Sequence, residues 1–250
     1  MNDSHRTVIN LCDRPLDVVA AFAKTSHGRR FQIGSYSCAN YFEAIVKRSD
    51  DLCCGNFDLV IPVLPEHKLD LIGQQPFRDL CDFSTMIVVN DFGLLDYFSK
   101  RDALRMGRMF FRDYRDKRYP AYDQEVYYGK AKSLIRFVSN MGIRVSAVES
   151  DIITKKLILD IPDGIERYFH FPYRQISSGH ICEYAAIGRP IEEKYVPDDA
   201  CSMQCQKMMI KSSAGYLKIA KNIYDLIDDS YLSVMTENDY LIITPGGDMC

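Results

Sequence analysis

The chain has 250 residues, of which 47% are hydrophobic, so it can bury a sizeable core. One domain is favoured over two, because α/β barrels reach this length as single domains. The formal net charge of −3 argues against general nucleic-acid binding, which calls for a basic surface. The sequence shows no secretory signal and no apolar stretch near the roughly 20 residues of a membrane span. We therefore expect a cytoplasmic protein whose nine cysteines stay reduced.

Short apolar runs alternate with helical patterns along almost the whole chain. The apolar runs predict β-strands at residues 7–11, 31–34, 58–63, 86–91, 104–111, 143–149, 167–171 and 239–244. The helical patterns lie between them, at residues 15–24, 40–48, 69–81, 93–100, 123–140 and 215–227. Gly142 favours the end of the longest helix, because glycine accepts the left-handed conformation of a C-terminal cap.

Strands that alternate with helices form parallel sheets, and eight parallel strands are the number that closes a barrel. We therefore predict an α/β fold, a single (β/α)₈ TIM-like barrel domain over residues 1–250, with some short or irregular connections. A doubly wound open sheet is the alternative. In a barrel of this kind the loops that follow the strands form the functional face.

Residues 177–205 contain three cysteines, and this stretch is too rich in glycine, proline and charged residues to form a regular helix or strand. Cys201 and Cys205 are four positions apart, so one helical turn would aim both sulfur atoms at one point. Cys182 precedes them in the same stretch. Thiolates are ligands of iron–sulfur clusters and of zinc, and four of them complete either kind of site. Reduced cysteines that simply pack as small hydrophobic residues are the alternative.

Position on the barrel suggests the fourth thiol. Cys38 follows the second predicted strand, Cys182 follows the seventh, and Cys201 and Cys205 precede the last predicted helix, which places all four on one rim. Cys12, just after the first strand, is the rival candidate. Three other cysteines fall on or beside predicted helices, namely Cys53, Cys54 and Cys81, and Cys250 is the last residue of the sequence.

Several segments resemble the UbiU/UbiV family, long classified as collagenase-like peptidases, and most closely its UbiV branch. Residues 33–38 resemble the Gly-x-x-x-Cys of the branch's second strand. Residues 90–93, 106–108 and 115–118 resemble the family's N-D-x-G, G-R and R-D-P-R segments, with Lys117 in the place of proline. Residues 177–205 resemble its Cys, spacer, Cys-x-x-x-Cys region, with a longer spacer.

The resemblance implies a [4Fe–4S] cluster held by Cys38, Cys182, Cys201 and Cys205, on the C-terminal face of the barrel. Zinc in the same four thiols is the alternative. The run from Cys201 to Met208 nearly matches the radical SAM triplet, but the thioether of Met208 cannot replace the third thiolate.

The resemblance also implies an activity and a partner. Characterised relatives hydroxylate ubiquinone precursors or RNA bases without O₂, and prephenate is implicated as the oxygen donor. UbiV works as a heterodimer with UbiU, so a sister member of the family is an expected partner. The acidic balance of this chain favours a small-molecule acceptor over RNA.

Polar residues at or just past the predicted strand ends are candidates to line the mouth of the barrel. We expect catalytic roles for His170, Glu149 and Asp91, because a histidine titrates near neutrality and can move a proton. Solvated loop residues or mutual ion pairs are the alternative for each of these side chains.

Substrate binding is assigned to Asn90, Arg108 and Arg174. Planar guanidinium groups suit carboxylates better than ammonium groups do, so the two arginines could hold a dicarboxylate such as prephenate. His180, two positions before Cys182, is interpreted as a hydrogen-bonding neighbour of the cluster rather than a ligand.

The sequence thus favours an iron–sulfur enzyme that transfers a hydroxyl group from a prephenate-like donor to a small-molecule acceptor such as a quinone precursor. A non-catalytic iron–sulfur subunit of a heterodimeric hydroxylase is one alternative. A collagenase-like peptidase is another, although the sequence has neither a Ser/His/Asp order nor a His-Glu-x-x-His motif.

Overall fold

The computed structural model describes residues 6–52, 55–111, 130–152, 161–179, 182–194, 201, 203–207, 210–211 and 216–245. The strands are β1 (Arg6–Asn10), β2 (Phe31–Gly34), β3 (Phe57–Ile61), β4 (Met86–Val89), β5 (Leu104–Met106), β6 (Ala147–Asp151), β7 (Glu166–Phe171), β8 (Tyr173–Ser178), β9 (Ile210–Lys211), β10 (Leu217–Ile219), β11 (Asn222–Leu226) and β12 (Asp239–Ile243). Eight parallel strands close a barrel in the order β1-β12-β7-β6-β5-β4-β3-β2. The (β/α)₈ TIM-like barrel is confirmed, and the open sheet is excluded.

Helices lie between most of the barrel strands. They are α1 (Leu16–Thr25), α2 (Ala39–Lys47), α3 (Ser49–Leu52), α4 (Gln75–Phe83), α5 (Phe92–Tyr97) and α6 (Lys130–Asn140), and α7 (Glu183–Ala186) follows β8. Shorter 3₁₀ segments are Glu66–Gly73, Arg108–Phe111, Ile191–Glu193, Gln204–Gln206 and Asp229–Val234. Gly142, with φ of +79°, ends α6 as predicted. Within the described ranges, no helix combines the length and the apolar character that a membrane crossing requires.

Alternation along the barrel strands divides apolar from polar side chains. Ile33, Val148 and Phe169 point outward and belong to the core between the strands and the helices, where they are fully buried. Their strand neighbours point inward, because successive side chains of a strand face opposite sides. Gln32, Glu149 and His170 are therefore inside the barrel, where they too are fully buried. Each apolar side chain buried in the outer core contributes about 1.5–3 kcal/mol.

Between β7 and β12 along the sequence, the chain forms a second sheet that is separate from the closed barrel. It is antiparallel, with the order β8-β11-β10-β9. The helix predicted at residues 215–227 is wrong, because β10 and β11 form a hairpin there. Leu217, Ile219 and Tyr224 pack together on one face of this sheet, at the period of a strand rather than of a helix.

Some other boundaries also differ from the predictions. β5 ends at Met106, and the chain then forms a 3₁₀ segment instead of continuing as a strand to residue 111. β6 begins at Ala147 rather than at residue 143. The helix predicted at residues 123–140 is described from Lys130 onward, and residues 123–129 lie outside the described ranges.

Candidate functional site

A lower ion layer lies inside the barrel near the N-terminal ends of the strands. It comprises Arg30, Asp58, Arg105, Tyr168 and one oxygen of Glu149. The guanidinium of Arg105 bonds to Asp58 and to Glu149 Oε2, the latter at 3.2 Å, and lies 3.7 Å from the centre of the Tyr168 ring. Arg30 Nη2 bonds to Asp58 Oδ1 at 2.9 Å. Burial alone would lower the pKa of Arg105, but the two carboxylates raise it, so this layer carries paired charges.

Glu149 joins this layer to a second polar group above it. Its Oε1 lies 3.5 Å from His170 Nε2 and accepts the backbone N–H of Arg108 at 3.1 Å. Burial acts to raise the pKa of Glu149, but His170 and Arg105 lower it to about 2. Burial and the nearby Arg108 lower the pKa of His170. At neutral pH an ionised Glu149 therefore faces a neutral His170.

Two residues that the sequence analysis did not single out extend this group, Gln32 in β2 and Tyr36 just after that strand. Tyr36 Oη lies 3.2 Å from His170 Nε2 and accepts a hydrogen bond of 2.6 Å from Gln32 Nε2. The same Gln32 nitrogen donates to Asn10 Oδ1 at 3.0 Å, and Asn10 Nδ2 donates to Thr244 Oγ1 at 2.8 Å. The sequence feature that could have pointed to this group is Gln32, a polar residue within the otherwise apolar second strand.

Arg108 is buried on the other side of His170. Its Nη2 bonds to Asp151 Oδ1 and donates to the carbonyl of Tyr173 at 3.2 Å. Its guanidinium lies between two aromatic rings, 5.5 Å from the centre of Tyr36 and 5.4 Å from that of Tyr224. A cation between two rings is held by their negative faces as well as by its carboxylate.

The antiparallel sheet completes the group through Gln175. The backbone N–H of Gln175 donates to Asp151 Oδ2 at 3.1 Å, and its side-chain nitrogen donates to Asn222 Oδ1 at 2.9 Å. Asn222 Nδ2 in turn donates to Tyr224 Oη at 3.1 Å. We call this connected set the upper cluster, and its members are Asn10, Gln32, Tyr36, Arg108, Glu149, Asp151, His170, Gln175, Asn222 and Tyr224.

Four buried polar atoms of the upper cluster have no hydrogen-bond partner. They are Gln32 Oε1, Arg108 Nε, His170 Nδ1 and Gln175 Oε1. Leaving a buried donor or acceptor unpaired costs about 1–3 kcal/mol. Unpaired atoms gathered in one network therefore make the upper cluster a candidate site for a ligand or ordered water.

The remaining predicted residues lie elsewhere. Asp91 caps α5, with its Oδ1 accepting the N–H of Leu94 at 2.9 Å. Asn90 Nδ2 donates to the carbonyl of Ile61 at 3.1 Å. Arg174, in β8, pairs with Asp225 at 2.8 Å. The structure thus brings together Arg108, Glu149 and His170 of the six, and the roles assigned to all six stay predictions.

The cysteine rim, which we define as Cys38, Cys182, Cys201 and Cys205, lies in one region of the structure. Burial, above all, together with Asp13 raises the pKa of Cys38 to about 12, and Cys205 and Cys182 contribute to that increase. The pKa of Cys205 is likewise raised to about 12 by burial and Asp13, with Cys182 and Cys201 adding to it. Cys182 has its pKa raised by burial and by Cys201. The four thiols are therefore neighbours.

Backbone N–H groups point at three of the four sulfur atoms. Cys38 Sγ accepts the N–H of Tyr41 at 3.4 Å, at the start of α2, and Cys201 Sγ accepts the N–H of Met203 at 3.2 Å. N–H groups of Ala185 and Tyr184 lower the pKa of Cys182, against burial. Hydrogen bonds of this kind favour the thiolate. Among the described residues, no three His, Cys, Asp or Glu side chains are gathered closely enough to hold a single metal ion.

Gly34 positions the first member of the rim. Its φ is +110°, and a Cβ atom at this position would collide with the carbonyl of Val60 in the neighbouring strand. Glycine alone tolerates both conditions. β2 therefore ends at Gly34, and the chain turns so that Cys38 starts α2.

Two further cysteines are described, Cys12 and Cys81. Cys12 lies by Asp13, Glu149 and Arg108, whose charges act on its thiol, and is buried with Tyr36. Cys81 is buried in α4. Other positions named in the sequence analysis lie outside the described residues, namely Cys53, Cys54, residues 115–118, His180, Met208 and Cys250.

Asp13 lies near both the cysteine rim and the upper cluster. It is buried with φ of +58°, and its Oδ1 has no hydrogen-bond partner. Burial raises its pKa to about 7, although hydrogen bonds from Ser35 and from the backbone of Tyr36 act to lower it. Its charge raises the pKa of Cys38 and of Tyr224, so the carboxyl is close to both regions.

A hollow of about 380 Å³ opens at the opposite end of the barrel, and its lining includes Arg6, Glu166, Arg167 and Tyr240. Its polar groups bond mainly to one another or to the barrel. Arg6 donates to Tyr240 Oη at 2.8 Å, and Tyr240 Oη donates to Glu166 at 3.0 Å. Arg167 pairs with Asp239 at 2.8 Å. The upper cluster, with its unpaired atoms, is therefore the stronger candidate site.

The candidate site thus combines two parts, a set of four neighbouring thiols and a buried acid–base group inside the barrel. The resemblance to the UbiU/UbiV family stays a prediction. A scan of protein-family models found no match to this chain, and neither did searches of curated proteins and of solved structures.

Proposed function

We propose that the chain is a cytoplasmic iron–sulfur protein of the oxygen-independent hydroxylase type, which transfers a hydroxyl group from a prephenate-like donor to a small-molecule acceptor. The observation that carries the proposal is the neighbourhood of four thiols next to a buried cluster that contains His170 and Glu149. The resemblance to the UbiV branch supports the same combination, with quinone precursors as the class of acceptor.

The cysteine rim fits a [4Fe–4S] cluster by its chemistry. Four thiols are available, and backbone N–H groups point at the sulfur atoms of Cys38 and Cys201. A bound cluster would supply electron-transfer chemistry beside the mouth of the barrel.

The protein's own acid–base chemistry resides in His170. Its Nε2 lies 3.5 Å from Glu149 Oε1, and its Nδ1 has no partner. In the tautomer with Nδ1 unprotonated, this nitrogen can accept the proton that the acceptor molecule releases when it gains the hydroxyl group. Tyr36 Oη, 3.2 Å from Nε2, helps to hold the ring in place.

Donor binding is the part of the proposal that the geometry supports least. Arg108 and Arg174 were expected to anchor two carboxylates, but each already pairs with an aspartate, Asp151 and Asp225 respectively. A carboxylate donor would have to share or displace those partners. A sister chain of the same family, which the resemblance implies as a partner, is another place where a donor could bind.

The decisive experiment is anaerobic purification followed by iron, sulfide and zinc analysis. We expect brown protein with about four irons and four sulfides per chain, as in a Cys₄ [4Fe–4S] site. Cys201→Ala should remove the iron and the colour, because it removes one of the four ligands. Cys81→Ala is the matched control, since this thiol is buried in α4 and should leave the iron unchanged. Colourless protein with stoichiometric zinc would contradict the proposal.

A second measurement tests the reaction itself. The parent protein is incubated without O₂ with prephenate and a phenolic acceptor, and mass spectrometry follows the gain of one oxygen atom. Product formed by the chain alone supports an enzyme. Product formed only after a sister chain is added would assign this chain the role of a partner subunit.

A further inference from the structure

We propose that the upper cluster binds an uncharged molecule carrying several hydroxyl groups, through the unpaired polar atoms of Gln32, Arg108, His170 and Gln175. This inference deepens the proposed function, on which it rests only in taking the bound molecule as the hydroxyl acceptor. Binding itself needs no metal.

The charges inside the barrel already balance. The described ion pairs inside the barrel contain three cations, Arg30, Arg105 and Arg108, and three carboxylates, Asp58, Glu149 and Asp151. The buried Asp13 beside them likewise has a buried cation, Arg14, nearby. His170 adds no charge, because its imidazole is neutral. A charged ligand would therefore bring an uncompensated charge into a buried site, which is costly, whereas an uncharged ligand would not.

The hydrogen-bonding character of the unpaired atoms follows from their neighbours. Gln32 Nε2 donates to Tyr36 and Asn10, so its unpaired atom is the carbonyl oxygen. Gln175 Nε2 donates to Asn222, which likewise leaves its carbonyl oxygen unpaired. These two atoms are hydrogen-bond acceptors.

The other two unpaired atoms differ from each other. His170 Nδ1 accepts or donates according to which ring nitrogen carries the proton, since Nε2 lies near both Glu149 Oε1 and Tyr36 Oη. Arg108 Nε carries a hydrogen and is a donor. Two acceptors, one donor and one ring nitrogen call for a ligand that both donates and accepts hydrogen bonds.

Hydroxyl groups meet this requirement, since each can donate one hydrogen bond and accept another. A carboxylate can only accept, so it could satisfy Arg108 but neither of the two glutamine oxygens. An alkylammonium could satisfy the acceptors, but its charge would be unbalanced in the interior. A neutral molecule with several hydroxyl groups satisfies both conditions at once.

The four atoms belong to one network rather than to separate defects. Gln32 contacts Tyr36, and Tyr36 contacts His170. His170 and Arg108 both contact Glu149, and Arg108 and Gln175 both bond to Asp151. A single ligand that pairs with several of these atoms would relieve the unpaired state of the whole network.

Ligand-observed saturation-transfer NMR and titration calorimetry test the inference with probes of matched size. The four-carbon set is meso-erythritol, tartrate and putrescine, which are neutral, anionic and cationic at pH 7. The aromatic pair is catechol and phthalate. We expect a neutral probe to bind at least tenfold more tightly than its charged counterparts. The comparison of catechol with erythritol distinguishes an aromatic from an aliphatic source of the hydroxyl groups.

Two substitutions locate the binding. Gln32→Leu and Gln175→Leu each remove one unpaired acceptor and should weaken binding of the neutral probe at least tenfold. Ser49→Ala, a buried polar position in the outer helix α3, is the matched control and should bind like the parent. Circular dichroism and thermal melting show whether each variant is folded, and two independent variants guard against the misfolding of one.

The outcomes separate this inference from the proposed function. The inference is overturned if tartrate or putrescine binds more tightly than erythritol, if neither neutral probe binds, or if both folded leucine variants bind like the parent. Binding of catechol to the Cys201→Ala protein would uphold the site without iron. If the parent protein then proved to contain no iron, the proposed function would fail while the binding site remained.

Discussion

The lower ion layer and the upper cluster both pair arginines with carboxylates inside the barrel, but they differ in how completely their polar atoms are paired. In the lower layer, Arg105 lies between two carboxylates, and no buried side-chain atom of the layer is left without a partner. In the upper cluster, Arg108, His170 and two glutamines each keep an unpaired atom. A completed network contributes to stability, whereas an incomplete one is prepared for a ligand. The position of the two along the strands agrees with barrels in which the C-terminal end carries function.

Breaking the lower layer should have the largest effect on stability. Arg105→Met leaves Asp58 and Glu149 buried without their common partner, and we expect a loss of about 3–5 kcal/mol in the free energy of unfolding. Urea denaturation measures this loss. Lys47→Met is the control, because its exposed pair with Glu43 contributes only about 0.3–0.5 kcal/mol. Equal losses in the two variants would show that the lower layer has no special structural role.

Asp13, whose Oδ1 has no partner, gives a prediction with the opposite sign, because replacing it should stabilise the protein. Its pKa in the folded protein, about 7, lies above the ordinary value of 3.8, so its contribution to stability is present below pH 3.8 and is lost as the pH rises through 7. Asp13→Asn should therefore stabilise the iron-free protein at pH 8 relative to pH 4, by an amount on the order of 3 kcal/mol.

Urea denaturation of both proteins at pH 4, 6 and 8 checks the Asp13 prediction. The advantage of the asparagine variant should grow with pH. If the difference in unfolding free energy between the two proteins stays constant or shrinks as the pH rises, the prediction is wrong. Asp13 would then be ionised in the folded protein at neutral pH, with other groups stabilising its carboxylate.

Gln32→Leu should have the smallest effect on stability. The substitution removes two donated hydrogen bonds, but it also removes an unpaired buried oxygen, so we expect a change within about 1 kcal/mol. Thermal melting and urea denaturation measure it. A loss as large as that of Arg105→Met would place Gln32 with the structural residues and erase the distinction between the two regions.

The barrel could be predicted from the sequence because strands buried on both faces are continuously apolar and alternate with helical patterns. The hairpin of β10 and β11 could not be predicted in the same way. Its apolar residues also fit a helical spacing, because Leu217 and Tyr224 are seven positions apart, which is about two turns of a helix. Pairing with β8, which lies far away in the sequence, decides the conformation.

The candidate site was predictable in part for a related reason. Position at a strand end was enough to select Glu149, His170 and Arg108. It could not reveal that Arg108 is paired with Asp151, because that contact depends on how two strands lie side by side. Gln32 carried a signal of its own, since a polar side chain in an inward position of a buried strand needs partners.

The antiparallel sheet inserted between β7 and β12 has a consequence for the order of folding. The strand that closes the barrel, β12, pairs with β1, and the Asn10–Thr244 hydrogen bond beside this pair joins residues 234 positions apart. Contacts between such distant segments form slowly, because the entropy of closing the loop is lost before the contacts repay it. Until β12 docks, β1 and β7 present unpaired edges, which invite association with other chains. A chaperone, or a low temperature during expression, should therefore raise the yield of soluble protein more than any change within the upper cluster.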